Sequence, residues 1–552
     1  MVKVKKSLLD KFLFIGVLVS TLFTYLLGDI FYNSVGSPDF YRYSKYFKYF
    51  FGDVGSVELE QGLIYYYLNS LIISTRYKSL NNFYFEEVIS QSIQFTNFSI
   101  YLVALCGVYK LLSIRNVEKK HIYFILIIIN FFPPLLALRL IFKPEILILT
   151  LFIWSLVTLE LNKLYQNTVY LFYFVLIFSL LSSIKATGTL IAGVALLFLY
   201  FDVFKKIDIK FFILLFFIYL LLLSLVSYEN FLANGLLFFE HKTTENYLFN
   251  AEKSFIYNFD FQLFLDQPKR HSQNDSLIGI VLLETFDDYF TIYWNNDTSL
   301  FFQDRINILH PYSRQYFSVL LTITFYFLIF YKSLKSTQNR KFVISPLIGL
   351  IIMLLISLFI QFDPNTGDMM KNYYYSFLLL ISFIFILIEL LPRFKDPLNL
   401  LFSILFVFSS LFLIGFPKAQ TENFEIKYTQ NLSTAYYCEL YSNISSTKSN
   451  CYKPELDFCE FHFLEKEKVL PVNGELIQSK VENKFALLKN TKPHLGTYES
   501  CVKDLNTTLS LNKSNYKIYN TPYVNIIFYI TFIFLTIDMF FRKQRKIILT
   551  KT

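Results

Sequence analysis

Long, nearly uncharged apolar runs alternate along the chain with short polar turns, and that alternation governs the first reading. The first run spans Phe12 to Leu27. Others lie at about 95–113, 121–137, 144–161, 168–184, 187–204, 211–228, 315–331, 343–361, 373–391, 397–415 and 523–541. Runs of roughly 18–22 residues cross the ~30 Å hydrocarbon core of a bilayer as helices. The pattern predicts an all-α polytopic membrane protein with about 12 transmembrane helices. No small-x-small cleavage site follows the first run, so it reads as a span and not as a removable signal peptide.

Composition agrees. Of 552 residues, 54% are hydrophobic and 20% aromatic, with only 17% charged. A soluble chain carries about a quarter charged residues. Disordered, collagen-like and coiled-coil classes are excluded. The net charge of +9 does not imply nucleic acid, because the basic residues cluster in alternate loops. These hold Arg115/Lys119/Lys120, Lys163, Lys205/Lys206/Lys210, Lys332/Lys335/Arg340/Lys341, Arg393/Lys395 and the FRKQRK tail. By the positive-inside bias, these loops and both termini are cytoplasmic.

Three regions follow. Residues 1–416 form a transmembrane region with long outside segments at about 28–94 and 229–313; the latter holds twelve acidic and five basic residues. Residues 417–521 form an extracytoplasmic module, and 522–552 a last span with a basic tail. In PDFYRYSKYFKYFF, Phe40, Tyr43, Phe47 and Phe50 recur at helical spacing opposite Arg42, Lys45 and Lys48, which predicts an amphipathic interfacial helix. A second helix is expected through ELEQGLIYYYLNSLII. The module carries Cys438, Cys451, Cys459 and Cys501. An even cluster outside the cell suggests two disulfides, with three connectivities open. A zinc site is the rival, but His462 and His494 lack finger-like spacing.

Soluble-enzyme motifs such as GxxxxGK[ST], GxGxxG, GxSxG and HExxH are missing. Ionisable residues gather instead at the outer ends of spans. Asp29 ends the first span and Asp39 precedes the interfacial helix. A carboxylate there can take a proton from an acceptor hydroxyl or ligate a divalent cation; the plainer reading of Asp39 is a helix cap. The turn FFPPLLALRLIFKPEILIL presents Arg139, Lys143 and Glu145 among apolar residues. Two cations beside a membrane suit a lipid-linked phosphate, and snorkelling is the alternative. Lys185 in SSIKATGTL is a third outside cation. FDPNTGDMMKNYYY supplies Asp363, Asp368, Lys371, Tyr373 and Tyr374, which also fit an ordinary polar turn with an interfacial Tyr belt.

Together these features resemble the GT-C glycosyltransferases, membrane enzymes that transfer a sugar from a polyprenyl-phosphate donor. Asp39 and Tyr43 look like the family's Asp-x-x-x-Tyr start in the first outside segment. Glu145 resembles its acidic residue heading the fourth span, Lys185 its basic-small-small start of a later span, and Lys371 with Tyr373 its late basic-Tyr element. The likeness covers most spans in order, and the cysteine-bearing module before a final span departs from it. It implies inverting transfer at the outer face of a bacterial inner (plasma) membrane, from a polyprenyl-phosphate-linked sugar to a lipid, glycan or protein acceptor. Asp39 would be the general base, with Asp29 its competitor. Tyr43, Arg139, Lys143, Glu145, Lys185, Lys371 and Tyr373 would bind substrate. A divalent cation is left open as a cofactor. A flippase or transporter, or a polymerase or ligase of lipid-linked saccharides, is the alternative.

Overall fold

In the computed structural model the described residues are 2–31, 46–47, 49–52, 61–76, 85–140, 142–234, 259–266, 277–286, 312–335, 339–359, 375–393, 397–413 and 517–542. Among them the regular structure is helical, without strands. The first helices are α1 (Val2–Phe31), α2 (Leu63–Arg76), α3 (Phe85–Ile114), α4 (Lys119–Asn130), α5 (Pro133–Leu140) and α6 (Glu145–Tyr165). Then come α7 (Val169–Ser182), α8 (Ala186–Leu199), α9 (Phe201–Phe204), α10 (Ile209–Asn234), α11 (Phe261–Asp266) and α12 (Leu277–Glu284). The remainder are α13 (Tyr312–Lys335), α14 (Arg340–Val343), α15 (Ser345–Phe359), α16 (Ser376–Leu390), α17 (Pro397–Leu413) and α18 (Tyr523–Phe541).

Among the described residues seven helices are long and apolar enough to cross a bilayer: α1, α3, α6, α10, α13, α16 and α18. Five other expected spans map onto shorter helices. A helix of 14 residues, such as α7 or α8, rises only about 21 Å at 1.5 Å per residue. Two of these are shortened by breaks that the apolar runs conceal. The expected run 121–137 splits because Pro133 and Pro134 cannot continue α4 and instead start α5, where a missing N–H costs nothing. The expected run 187–204 breaks at Tyr200 between α8 and α9.

The core is built around α6, whose spanning stretch is 94% buried, against 11% for α10. Helix α6 is apolar on every side, as a helix surrounded by others must be. It packs on α3, where a Cβ at Gly107 would meet the Ile153 side chain at 2.8 Å. A side chain at position 107 would crowd Ile153 and the Trp154 indole, so the small residue lets α6 pack close to α3. Trp154 uses that proximity, donating its indole N–H to the Val103 carbonyl at 3.0 Å. Helix α10 displays Phe212, Phe216, Phe217, Leu221 and Leu225 outward, a surface suited to lipid.

Charged cross-links between helices gather at the two ends of the bundle. At one end, here the site end, the start of α6 meets the turn before α8, and Glu229 of α10 meets the start of α18. At the opposite end the C-terminal ends of α3, α6, α8, α13 and α16 converge. Arg115 pairs there with Glu160, which also accepts from Tyr200 Oη at 2.8 Å. The Arg115 guanidinium lies 4.3 Å from the Phe342 ring centre and 4.6 Å from that of Phe385. It also donates to Asn339 Oδ1 at 3.3 Å. Asn339 and Lys332 both reach Glu389, at 3.4 and 3.6 Å. Arg115 and Lys332, expected in solvated basic loops, are therefore drawn into a largely buried ion network.

Removing one member of a buried pair strands the other charge, at a cost of about 3–5 kcal/mol. Arg115→Ala should lower the detergent-solubilised melting temperature by several degrees, and adding Glu160→Ala should recover part of the loss. Equal melting of wild type and Arg115→Ala would refute the network.

Candidate functional site

The site end is organised by the turn between α5 and α6. Helix α5 ends at Leu140, and Pro144 then caps α6 by offering its carbonyl to the amides of Leu147 and Ile148 at 2.9 and 3.1 Å. Glu145 thus occupies the first turn of α6, where the helix dipole favours a carboxylate. Lys143 and Glu145 are both buried, at 3% exposure.

The partner of Glu145 comes from another turn. Lys185, at the N-cap of α8, brings Nζ to 2.7 Å from Glu145 Oε1. Among the described residues nothing donates to Glu145 Oε2. The Lys185 turn is itself fastened to the first long segment: the Gly62 amide donates to the Ile184 carbonyl at 2.8 Å. A Cβ at Gly62 would sit 2.2 Å from the Ser183 carbonyl oxygen, so only glycine permits this approach.

Aromatic rings close over the same turn. The Phe142 ring stacks on Phe47 at 5.2 Å and meets Tyr66 edge-on at 5.3 Å. Tyr46 stacks on Tyr66 at 3.9 Å and exchanges hydrogen bonds with the Gln61 backbone, at 2.9 and 3.0 Å. Tyr46, Phe47, Phe50 and Phe51 are all buried, so this helical turn is covered on more sides than the expected amphipathic stripe provides. Tyr65 Oη donates to Asn97 Oδ1 at 2.8 Å, and Asn97 Nδ2 donates to the Arg139 carbonyl at 3.0 Å. Burial, and after it the negative charge of Glu145, hold the Tyr65 phenol far above its ordinary pKa. It therefore stays a neutral donor.

Arg139 serves a different neighbourhood. Its guanidinium donates to Thr24 Oγ1 at 2.9 Å and lies 4.2 Å from the Tyr101 ring centre. Tyr101 Oη donates to Asn130 Oδ1, and Asn130 Nδ2 reaches Ser20 and Thr21. Arg139 is 4% exposed. It ties α1, α3 and α4 together and does not snorkel.

Of the residues singled out from sequence, the structure brings Lys143, Glu145 and Lys185 to one place and sets Arg139 into the adjoining polar network. Asp29 lies in the last turn of α1, with its side chain outside the described residues. Asp39, Tyr43, Lys371, Tyr373 and the four cysteines Cys438, Cys451, Cys459 and Cys501 also fall outside them. Among the described residues no cluster of His, Cys, Asp or Glu is suited to a metal ion. Tyr65, Asn97, Gln61 and Phe142 belong to the site and escaped the sequence reading. The polar Asn97 within an apolar run was the one available signal.

No protein-family model, curated protein or solved structure matches the chain. Chemically, the arrangement is a helix N-terminus bearing the Lys185–Glu145 ion pair, with the buried Lys143 two residues before Glu145, under an aromatic wall. Gly62→Ala tests its assembly. Overpacking against backbone costs about 1–3 kcal/mol, so the variant should melt several degrees lower, whereas an unchanged melting temperature would mean that the two turns do not touch.

Proposed function

We propose that this protein is a GT-C-like glycosyltransferase that uses a polyprenyl-phosphate-linked sugar. The observation that carries the proposal is the site-end cluster, where Lys143 and Lys185 flank Glu145 at the start of the most buried spanning helix. A helix N-terminus with cations beside it attracts a phosphate. The buried rings of Phe47, Tyr66 and Phe142 stack over that turn, a low-dielectric wall in which such charges act strongly.

The proposed topology has twelve crossings, with α4, α7, α8, α15 and α17 completing the seven long helices. The site end faces outward. Supporting this, Arg115, Lys332, Lys341 and Arg542 collect at the opposite end, as the positive-inside bias requires. The region 417–521 is then an outside module, with its cysteines paired as disulfides.

In the proposed reaction Asp39, or in its place Asp29, takes the proton of an acceptor hydroxyl. The oxygen attacks the anomeric carbon, the bond from that carbon to the phosphate oxygen breaks, and its electron pair leaves with the polyprenyl phosphate. Lys143 and Lys185 offset the charge that develops on the departing phosphate. Such a leaving group needs no protonation, unlike that of a glycoside hydrolase.

A flippase for lipid-linked saccharides is the second reading. It is favoured by the opposite-end ion network, which joins α3, α6 and α8 to α13, α14 and α16 as a closed gate would.

Transfer assays in proteoliposomes with labelled lipid-linked sugar separate the two readings. Asp39→Asn keeps shape and capping but cannot take a proton, so transfer should fall about 10²–10⁴-fold. If Asp29 is the base, Asp29→Asn shows that loss instead. Full transfer in both variants, or translocation without transfer, sinks the enzymatic proposal. Lys143→Met should weaken polyprenyl phosphate binding roughly ten- to a hundredfold, the value of one charge-assisted hydrogen bond. Unchanged binding would remove Lys143 from the phosphate site.

A further inference from the structure

Helix α18 is held from both ends by side chains that belong to other helices. At its start, Glu229 of α10 accepts from the amides of Val524 and Asn525 at 2.7 and 3.0 Å, and from Asn525 Nδ2 at 2.6 Å. The first turn of a helix leaves its amides without intrahelical partners, and a carboxylate there both caps them and complements the dipole. At its finish, Lys110 of α3 donates to the carbonyls of Phe540 and Arg542, each at 3.1 Å. Arg542 reaches onward to Tyr170 Oη at 3.2 Å. An apolar helix in lipid gains little from burying apolar side chains, since the lipid tails are equally apolar. These polar contacts are therefore what fixes its position and depth.

The residues leading into α18 carry that fixation to the candidate site. The amides of Tyr519 and Asn520 donate to the Phe50 carbonyl at 2.8 and 3.3 Å, and Asn520 Nδ2 donates to the Tyr49 carbonyl at 2.6 Å. The Phe50 carbonyl ends a helical turn and lacks a partner in its own ladder, while the Tyr49 carbonyl also accepts from the Gly52 amide at 3.1 Å. The chain then swings through Gly52 at φ 76°, and the Tyr519 side chain covers it closely enough that a Cβ would lie 3.0 Å from the ring. Glu229 belongs to the same junction. Burial, and then its negative charge, raise the Tyr49 phenol pKa. One helical turn back from Phe50 and Phe51, Tyr46 and Phe47 make the stacking contacts with Tyr66 and Phe142 over the Lys143–Glu145 turn.

We propose that residues 517–541 act as a clasp that positions the aromatic wall of the candidate site. Asn520 and Glu229 are positioning residues: Glu229 seats the helix, and Asn520 passes that placement to the turn bearing Tyr46 and Phe47. The clasp stands on these contacts alone and does not depend on the transferase proposal.

Amide hydrogen exchange of the full-length protein in nanodiscs, read by mass spectrometry, tests it. Glu229→Ala should speed exchange about tenfold or more in peptides covering the start of α18, residues 46–52 and residues 61–70. Peptides from α6 and α16 should stay as protected as in wild type. Asn520→Ala should speed exchange at 46–52 and 61–70 while α18 keeps its protection. That second pattern is one that general destabilisation does not produce. Unchanged exchange at 46–52 in both variants overturns the clasp. So does an even loss of protection that includes α6 and α16, because Glu229 and Asn520 would then merely stabilise the fold.

Discussion

A buried carboxylate at the head of α6 sets the terms for the site end of the bundle. Glu145 is withdrawn from water, and an ionised carboxylate so placed costs several kcal/mol unless a cation answers it. Lys185 does so at 2.7 Å, from a turn forty residues further along. That single pair obliges the α7–α8 turn to lie against the α5–α6 turn. Once it does, the carbonyls of Ser183 and Ile184 face the first long segment, and Gly62 is the residue small enough to meet them. Helix α2 then follows from Gly62, carrying Tyr65 and Tyr66 into position over Phe142.

The same economy explains why the inter-helix ion pairs sit at the two ends. In hydrocarbon a polar group must find its partner within the protein, and mid-span partners would have to be buried on both helices at once. The apolar stretch of α6 instead packs by shape, with Phe152 against Phe377 in the first turn of α16 and Gly107 of α3 beneath Trp154. Register and depth are left to the ends, where a carboxylate, a lysine or an arginine fixes one helix against another. Helix α18 shows this most simply, being clamped at its start by Glu229 and at its finish by Lys110.

Much of this was legible in sequence, for identifiable reasons. Charge at the margin of an apolar run marks where a span ends, so Lys143, Glu145 and Lys185 could be singled out one at a time. Their pairing could not, because residues forty apart share no local periodicity. Arg139 misled for a related reason: RLIFKPE reads as one cationic turn, but the break after Leu140 separates Arg139 from Lys143 and hands it to Thr24 and Tyr101. The prolines at 133–134 were in plain view, yet an apolar run continues through them, and hydropathy alone does not register a missing N–H. The helical turn around residues 46–50 is legible in the spacing of Phe47 and Phe50. Its second buried side includes Tyr46, which depends on Tyr66 of α2, a partner from elsewhere in the chain.

The choice of tyrosine over aliphatic residues in that wall has its own logic. A leucine wall would be apolar throughout and free to slide. Each tyrosine instead anchors one edge through its hydroxyl, Tyr46 to the Gln61 backbone, Tyr65 to Asn97 and Tyr66 to Gln61 Oε1. Their rings remain as flat apolar surface against Phe142. Those anchors lead back to the charged turn, since Asn97 also holds the carbonyl of Arg139. The buried rings and the charged start of α6 are thereby fixed in one rigid relation.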